Sequence, residues 1–213
     1  MLEWAQTIVC KASIVSLLSK PKKSRGGEAK DGQLRIIGGS WRGRKLAFPA
    51  APGLRPTGDR VRETLFNWLA PELGEARCVD LFAGSGALGL EALSRGAASC
   101  DFVETSRAAL GRLRQHLDTL GAGTRGQCHA SGAEQFLAGT SGSYDIVFID
   151  PPFDAGLVAP TCAALEASER VGPGALVYVE TARGDDAPEV PPNWQLHREK
   201  TAGDVAFRLY RVA

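Results

Sequence analysis

Two short runs hold residue types whose chemistry would complement each other. The first, Asp80-Leu81-Phe82-Ala83-Gly84-Ser85-Gly86-Ala87-Leu88-Gly89, sets three glycines at G-x-G-x-x-G spacing beside a carboxylate. Glycines so spaced let a chain turn tightly out of a strand and approach a nucleotide closely. The spacing alone does not choose the nucleotide, but Asp80 bears on the choice. A dinucleotide would bring a pyrophosphate to that turn, where a carboxylate repels it. S-adenosylmethionine has no phosphate and carries an ammonium and a sulfonium, so it suits an acidic rim and is the first reading. NAD is the second. The other run, Asp150-Pro151-Pro152-Phe153, joins a carboxylate to two rigid prolines and an aromatic ring. Prolines hold the backbone out of helix and offer no N–H, leaving carbonyls as outward acceptors. Asp150 and the Pro151 carbonyl can each accept one N–H of an exocyclic amine while Phe153 stacks on its ring. Held so, the amine's lone pair can face a methyl donor, and the catalysis is mostly positioning. An Asp-Pro-Pro sequence can also simply end a strand; its pairing with the glycine run favours the chemical reading.

The elements around these runs must bring them together. Cys78–Phe82 reads as a buried strand, and Leu88, Leu90 and Leu93 as a helix ending near Arg95-Gly96. Ser99–Glu104 reads as the next strand. Its Glu104, twenty residues past Gly84, stands where such folds place the acid that holds ribose hydroxyls. Ala108–Leu120 has helical apolar spacing, and a third strand near Gly126–His129 leads through Ser131, Gly132 and Ala133 into a short helix. Tyr144–Asp150 has the continuous apolar centre of a strand covered on both faces. A helix over Leu157–Ser168, a strand over Ala175–Glu180 and a hairpin of Trp194–Thr201 with Val205–Arg211 complete the chain. The pattern predicts an α/β fold, a seven-stranded doubly wound sheet closing on an antiparallel hairpin.

Upstream lies a basic segment. Residues 20–62 carry a net charge of +9 and residues 63–213 one of −8, within a whole-chain value of +1. This asymmetry suggests a nucleic-acid-facing extension on an acidic catalytic body, although a solvated basic loop has the same composition. Leu34–Leu46 reads as a hairpin turning at Gly38–Ser40, with Trp41 on its basic second strand. In Gly53–Leu69, Thr57 is a plausible N-cap and Val61, Leu65, Trp68 and Leu69 make the buried stripe. Arg42, Arg44, Lys45, Arg55, Arg60 and Arg62 are the expected phosphate contacts. Glu63 and Asn67 share one side of that helix, facing either the cleft or solvent. The expected organisation is a mobile basic arm over 1–32, a hairpin-and-helix extension over 33–73 and the catalytic domain over 74–213.

Five dispersed cysteines without a C-x-x-C suggest buried thiols, and three histidines share no ligand spacing, so no metal is expected. No apolar run reaches the roughly 18 residues of a membrane span, and the start lacks a secretory signal. A cytoplasmic monomer is the expectation. The intact Asp80, Glu104 and Asp150 argue against a binding module with a decayed site.

Residues 34 to 213 resemble the RsmD-type ribosomal RNA methyltransferases. LRIIGGSWRGRKL at 34–46, GLRPTGDRVRETLFNWL at 53–69, DLFAGSGALGLEALSR at 80–95, DPPF at 150–153 and the terminal hairpin carry the likeness. The glycine and D-P-P-F patterns occur in many amino-methyltransferases, whereas the R-P-T-x-D-R-V-R-E-x-L-F-N run is particular to this family. The resemblance implies a Rossmann-like methyltransferase fold and methylation of N2 of the guanine at 966 of 16S rRNA, in a small ribosomal subunit or an assembly intermediate. Other planar amines, adenine N6 or a glutamine amide, are the alternatives. It also implies that Asp80, Ala83, Gly84 and Gly86 form the S-adenosylmethionine loop, Glu104 the ribose acid, and Asp150 to Phe153 the catalytic segment. Before the position matching Ala133 the family carries Asn or Asp to bond the adenine amine, and this chain has Gly132. Ser131 or a backbone carbonyl is expected to substitute.

Overall fold

A hairpin and one helix precede the main sheet. In the computed structural model, which describes residues 32–48 and 58–213, β1 (Gly32–Arg35) pairs antiparallel with β2 (Lys45–Phe48), and α1 spans Asp59–Leu69. The arm expected over 1–32, all but Gly32, lies outside the described residues, as do Arg55 and Thr57. The N-cap of α1 is Gly58, with no side-chain cap.

The main sheet alternates with helices as the apolar pattern requires. Its elements are β3 (Arg77–Asp80), α2 (Ala87–Ser94), β4 (Ser99–Val103), α3 (Arg107–Thr119), β5 (Gly126–His129), α4 (Ala133–Gly139), β6 (Ile146–Ile149), α5 (Val158–Ala167), β7 (Leu176–Ala182), β8 (Trp194–Ala202) and β9 (Val205–Val212). The order is β5-β4-β3-β6-β7-β9-β8, with β9 antiparallel to both its neighbours and the other pairings parallel. Successive side chains point to opposite faces of the sheet. Cys78, Ile146, Phe148, Tyr178 and Phe207 join one apolar cluster with residues of α1, α2, α3 and the hairpin. Val79, Val147, Ile149, Val177 and Val179 join another with residues of α4 and α5. The chain leaves β3 toward β4 on one side and returns to β6 on the other. Above the carboxyl ends of β3 and β6 this reversal opens a crevice, the usual ligand position in doubly wound sheets.

Two expectations for the extension are corrected. Trp41 is not on the second strand; it sits in a 3-10 turn at Gly39–Trp41, buried, with the Arg125 guanidinium 5.3 Å from its ring centroid. Its backbone N–H donates to Ser94 Oγ at 3.0 Å, which ties the turn to α2. Arg62 is not a phosphate contact, being 1% exposed. It donates to Asp59 Oδ1 at 2.6 Å, the Arg35 carbonyl at 3.0 Å and Glu91 Oε2 at 3.4 Å. The hairpin covers a second face of α1, so the helix buries Arg62 and Phe66 beside the anticipated Val61, Leu65 and Leu69. Trp68 is only partly buried, while Glu63 and Asn67 are exposed and stay out of the cleft lining.

Glu91 on α2 holds this junction together. Fully buried, it accepts from the N–H groups of Ile37 at 2.8 Å and Gly38 at 2.7 Å and from Arg95 Nε at 2.7 Å, besides Arg62. A buried carboxylate needs such a set of donors to offset its lost hydration.

Candidate active site

Both sequence runs line one cleft of about 1040 Å³ at the crevice. Asp80 ends β3 and Asp150 follows β6, its neighbour, so the topology sets the two carboxylates side by side. The turn between β3 and α2 needs its glycines. Gly86 caps α2 with φ +79, a left-handed conformation that side chains strain, and a Cβ there would lie 2.5 Å from Leu113 Cδ1. Gly89 serves packing instead. A Cβ on it would lie 2.2 Å from the Phe102 ring, so the glycine lets α2 lie close against β4.

Asp80 is 1% exposed. Its Oδ2 accepts the Gly89 N–H at 3.2 Å, while Oδ1 is buried without a hydrogen-bond partner among the described residues. Burial, with lesser contributions from the charges of Asp150 and Glu104, pushes its carboxyl up to about 7 against the pull of the Gly89 and Phe82 amides. An orphaned buried oxygen among like charges fits a ligand that brings a positively charged donor. Glu104 follows β4 and lines the same cleft. Its Oε2 accepts the Gly84 N–H at 2.9 Å and its Oε1 the Ser106 N–H at 2.7 Å, which fixes the carboxylate over the glycine turn. Lone pairs remain on both oxygens for hydroxyl donors.

Ala83, Ser131, Gly132 and Ala133 also line the cleft. Ser131 Oγ donates to the Gly132 carbonyl at 2.8 Å, so the hydroxyl oxygen keeps acceptor capacity for an amine. Glu134, in the first turn of α4, reaches the same wall. On the opposite side, Pro151, Pro152 and Phe153 follow Asp150; Pro151 is buried, and Phe153 is 42% exposed, leaving ring surface open to a planar partner. Gly58 and Val61 bring the start of α1 to the rim. Of the expected phosphate contacts that are described, Arg42, Arg44, Lys45 and Arg60 are exposed.

Sequence reasoning missed Glu180. It is 4% exposed, lines the cleft, and accepts a hydrogen bond from the Tyr178 hydroxyl at 2.6 Å on Oε2. Burial and then the Asp150 charge push its carboxyl up to about 8, against the Tyr178 bond. A signal was present: VFID at 147–150 and VYVE at 177–180 are both apolar runs ended by an acid.

The family model described as "Conserved hypothetical protein 95" matches residues 34–211. Ribosomal RNA small subunit methyltransferase D of Escherichia coli K12 is 56% identical over 194 residues, spanning 91% of this chain and 95% of that protein. The chain belongs to the RsmD family. Among solved structures, Escherichia coli yhhF is 52% identical, covers 85% of this chain and 98% of its own, and superposes with a TM-score of 0.79. A more distant S-adenosylmethionine-dependent methyltransferase from Thiobacillus denitrificans, solved with S-adenosyl-L-homocysteine, is 20% identical, covers 60% of this chain and 50% of its own, and has a TM-score of 0.51. That likeness is one of fold. The sheet order and helices of this RsmD-family chain are those of the Rossmann-like methyltransferase class, as its sequence predicts. Among the described residues no helix is long and apolar enough to cross a membrane.

Proposed function

We propose that this chain methylates small-subunit ribosomal RNA using S-adenosylmethionine, and that its target is the exocyclic N2 amine of a guanine corresponding to position 966 of 16S rRNA. The observation that carries the reading is one cleft walled by Asp80 and the glycine turn on one side and by Asp150-Pro151-Pro152-Phe153 on the other. The RsmD-family relatives are named as small-subunit rRNA methyltransferases, which supports the RNA class of substrate.

When bound, S-adenosylmethionine supplies an electrophilic methyl on a sulfonium whose sulfur leaves with the bonding electrons. Asp80 Oδ1 takes the ammonium of the methionine moiety, Glu104 the ribose hydroxyls, and Ser131 Oγ the adenine amine. Across the cleft, Asp150 and the Pro151 carbonyl each accept an N–H of the guanine amine, and Phe153 stacks on the base. Held so, the amine would present its nitrogen lone pair to the methyl that the donor would supply, and Asp150 would receive the proton that the amine sheds. Exposed Arg42, Arg44, Lys45 and Arg60, together with Arg55, grip phosphates of RNA presented in a small ribosomal particle. The enzyme acts as a cytoplasmic monomer.

The test is transfer of labelled methyl to small subunits from a strain lacking the enzyme, followed by nucleoside mass analysis. N2-methylguanosine formed by the wild type, with a loss on the order of a hundredfold or more in Asp150→Ala, is expected. A methylated adenosine, or an undiminished variant, would refute the assignment.

A further inference from the structure

The cleft holds one more carboxyl than methyl transfer to an amine requires. Glu180 lies two residues before the end of β7, and the parallel register pairs Ile149 with Val179. One residue further on, Asp150 leaves β6 while Glu180 continues β7, and both carboxyl groups line the cleft close enough for the Asp150 charge to act on Glu180. Phe148 and Tyr178, two residues before each, point to the α1 side of the sheet, and the Tyr178 hydroxyl bonds Glu180 on that side. On the other flank Glu180 is paired with Phe207 of β9, whose neighbour Arg208 donates instead to Thr181 Oγ1 at 3.1 Å. Tyr178 holds Oε2, which orients the carboxyl toward the cleft that it lines.

Guanine presents two parallel donors on one edge, N1–H and one N2–H. Adenine presents a donor at N6 beside an acceptor at N1. Two adjacent carboxyl groups are therefore complementary to guanine and poorly matched to adenine. We propose that Glu180 is a specificity-determining residue that accepts guanine N1–H while Asp150 accepts N2–H, so that the pair reads the base before its amine is methylated. The inference rests on the guanine-N2 reading above and adds the group that selects the base. Burial and the nearby Asp150 charge also raise the cost of ionising Glu180, which a further N–H from the base would offset beside the Tyr178 bond.

The test compares small-subunit RNA carrying guanine at the methylated position with the same RNA carrying 2-aminopurine. That base keeps the N2 amine but has an acceptor at N1. The wild type should prefer guanine by at least about tenfold in kcat/KM, the scale of one lost base-edge contact. In Glu180→Gln, whose amide can donate as well as accept, guanine turnover should fall roughly tenfold or more and the preference should shrink to within about threefold. Affinity for S-adenosylhomocysteine should be retained, which shows that the variant is folded and its cofactor side intact. Tyr178→Phe keeps the carboxyl but frees Oε2, so the preference should shrink less than in Glu180→Gln. An unchanged preference in Glu180→Gln would overturn the inference, and so would a preference lost in Tyr178→Phe but kept in Glu180→Gln. Wild-type enzyme that methylated no guanine would instead overturn the reading on which the inference rests.

Discussion

Exchange Asp80 for Asn and two properties should move in opposite directions. In the fold this carboxyl is pushed from about 3.8 up to about 7. A carboxyl raised on folding binds its proton more tightly in the native state, so its ionised form weakens the fold. That cost is absent below about pH 4, grows as pH rises toward 7 and is constant above it. Three pKa units correspond to about 4 kcal/mol at neutral pH. Asn keeps an oxygen to accept the Gly89 N–H at the 3.2 Å site and carries no charge, giving up roughly 1 kcal/mol of charge-assisted bonding. The ligand-free variant should therefore be about 2–3 kcal/mol more stable than wild type at pH 8, melting roughly 5–10 °C higher. The difference should close toward pH 4. Titration calorimetry with S-adenosylhomocysteine should show affinity reduced roughly 10- to 100-fold at pH 8, because the ammonium has lost its carboxylate. A variant that melts below wild type at pH 8, or binds the ligand as well, would refute the account of the orphaned oxygen.

Other substitutions probe the remaining parts. Glu91→Gln leaves the buried Arg62 guanidinium short of charge and should cost about 3–5 kcal/mol in urea unfolding; less than about 1 kcal/mol would deny the junction its role. Neutralising Arg42, Arg44, Lys45 and Arg60 together should reduce the slope of log affinity for RNA against log salt by about 3, whereas Arg62→Ala should lower the melting temperature. Gly132 has ordinary backbone (φ −75°), open space where a Cβ would go, and caps α4 without a side chain. Gly132→Asp should add a few tenths of a kcal/mol of stability as a cap and tighten S-adenosylhomocysteine binding severalfold through the adenine amine, both readable in one thermal-shift titration.

Much of the site was legible because its residues follow one another along the chain. The glycine turn, Glu104 and the Asp-Pro-Pro-Phe segment each lie just after an apolar run, and a parallel sheet brings all such positions to one edge. What escaped was decided by partners distant in sequence. Helical spacing put Arg62 on an outer face of α1, but that face is covered by a hairpin, and its countercharge Glu91 lies on α2. Trp41 reads as a strand residue until Ser94 is seen to accept its N–H. Glu180 looked like the end of a strand, because its neighbour Asp150 is set by register, which local pattern does not contain.

The attachment of the hairpin to α2 also bears on how this chain can be cut or recombined. Glu91 lies two residues beyond Gly89, whose N–H reaches Asp80, so one short helix answers to the cofactor loop through its first turns and to the hairpin through Glu91 and Ser94. A chain begun at residue 58 would keep every residue of the cleft yet strip Glu91 of the Ile37 and Gly38 donors and take Leu34, Ile36, Leu46 and Phe48 out of the apolar cluster that Leu65 and Phe66 share. The hairpin is thus built into the sheet domain, and exchange of hairpins between relatives would have to carry the matching face of α2 with it.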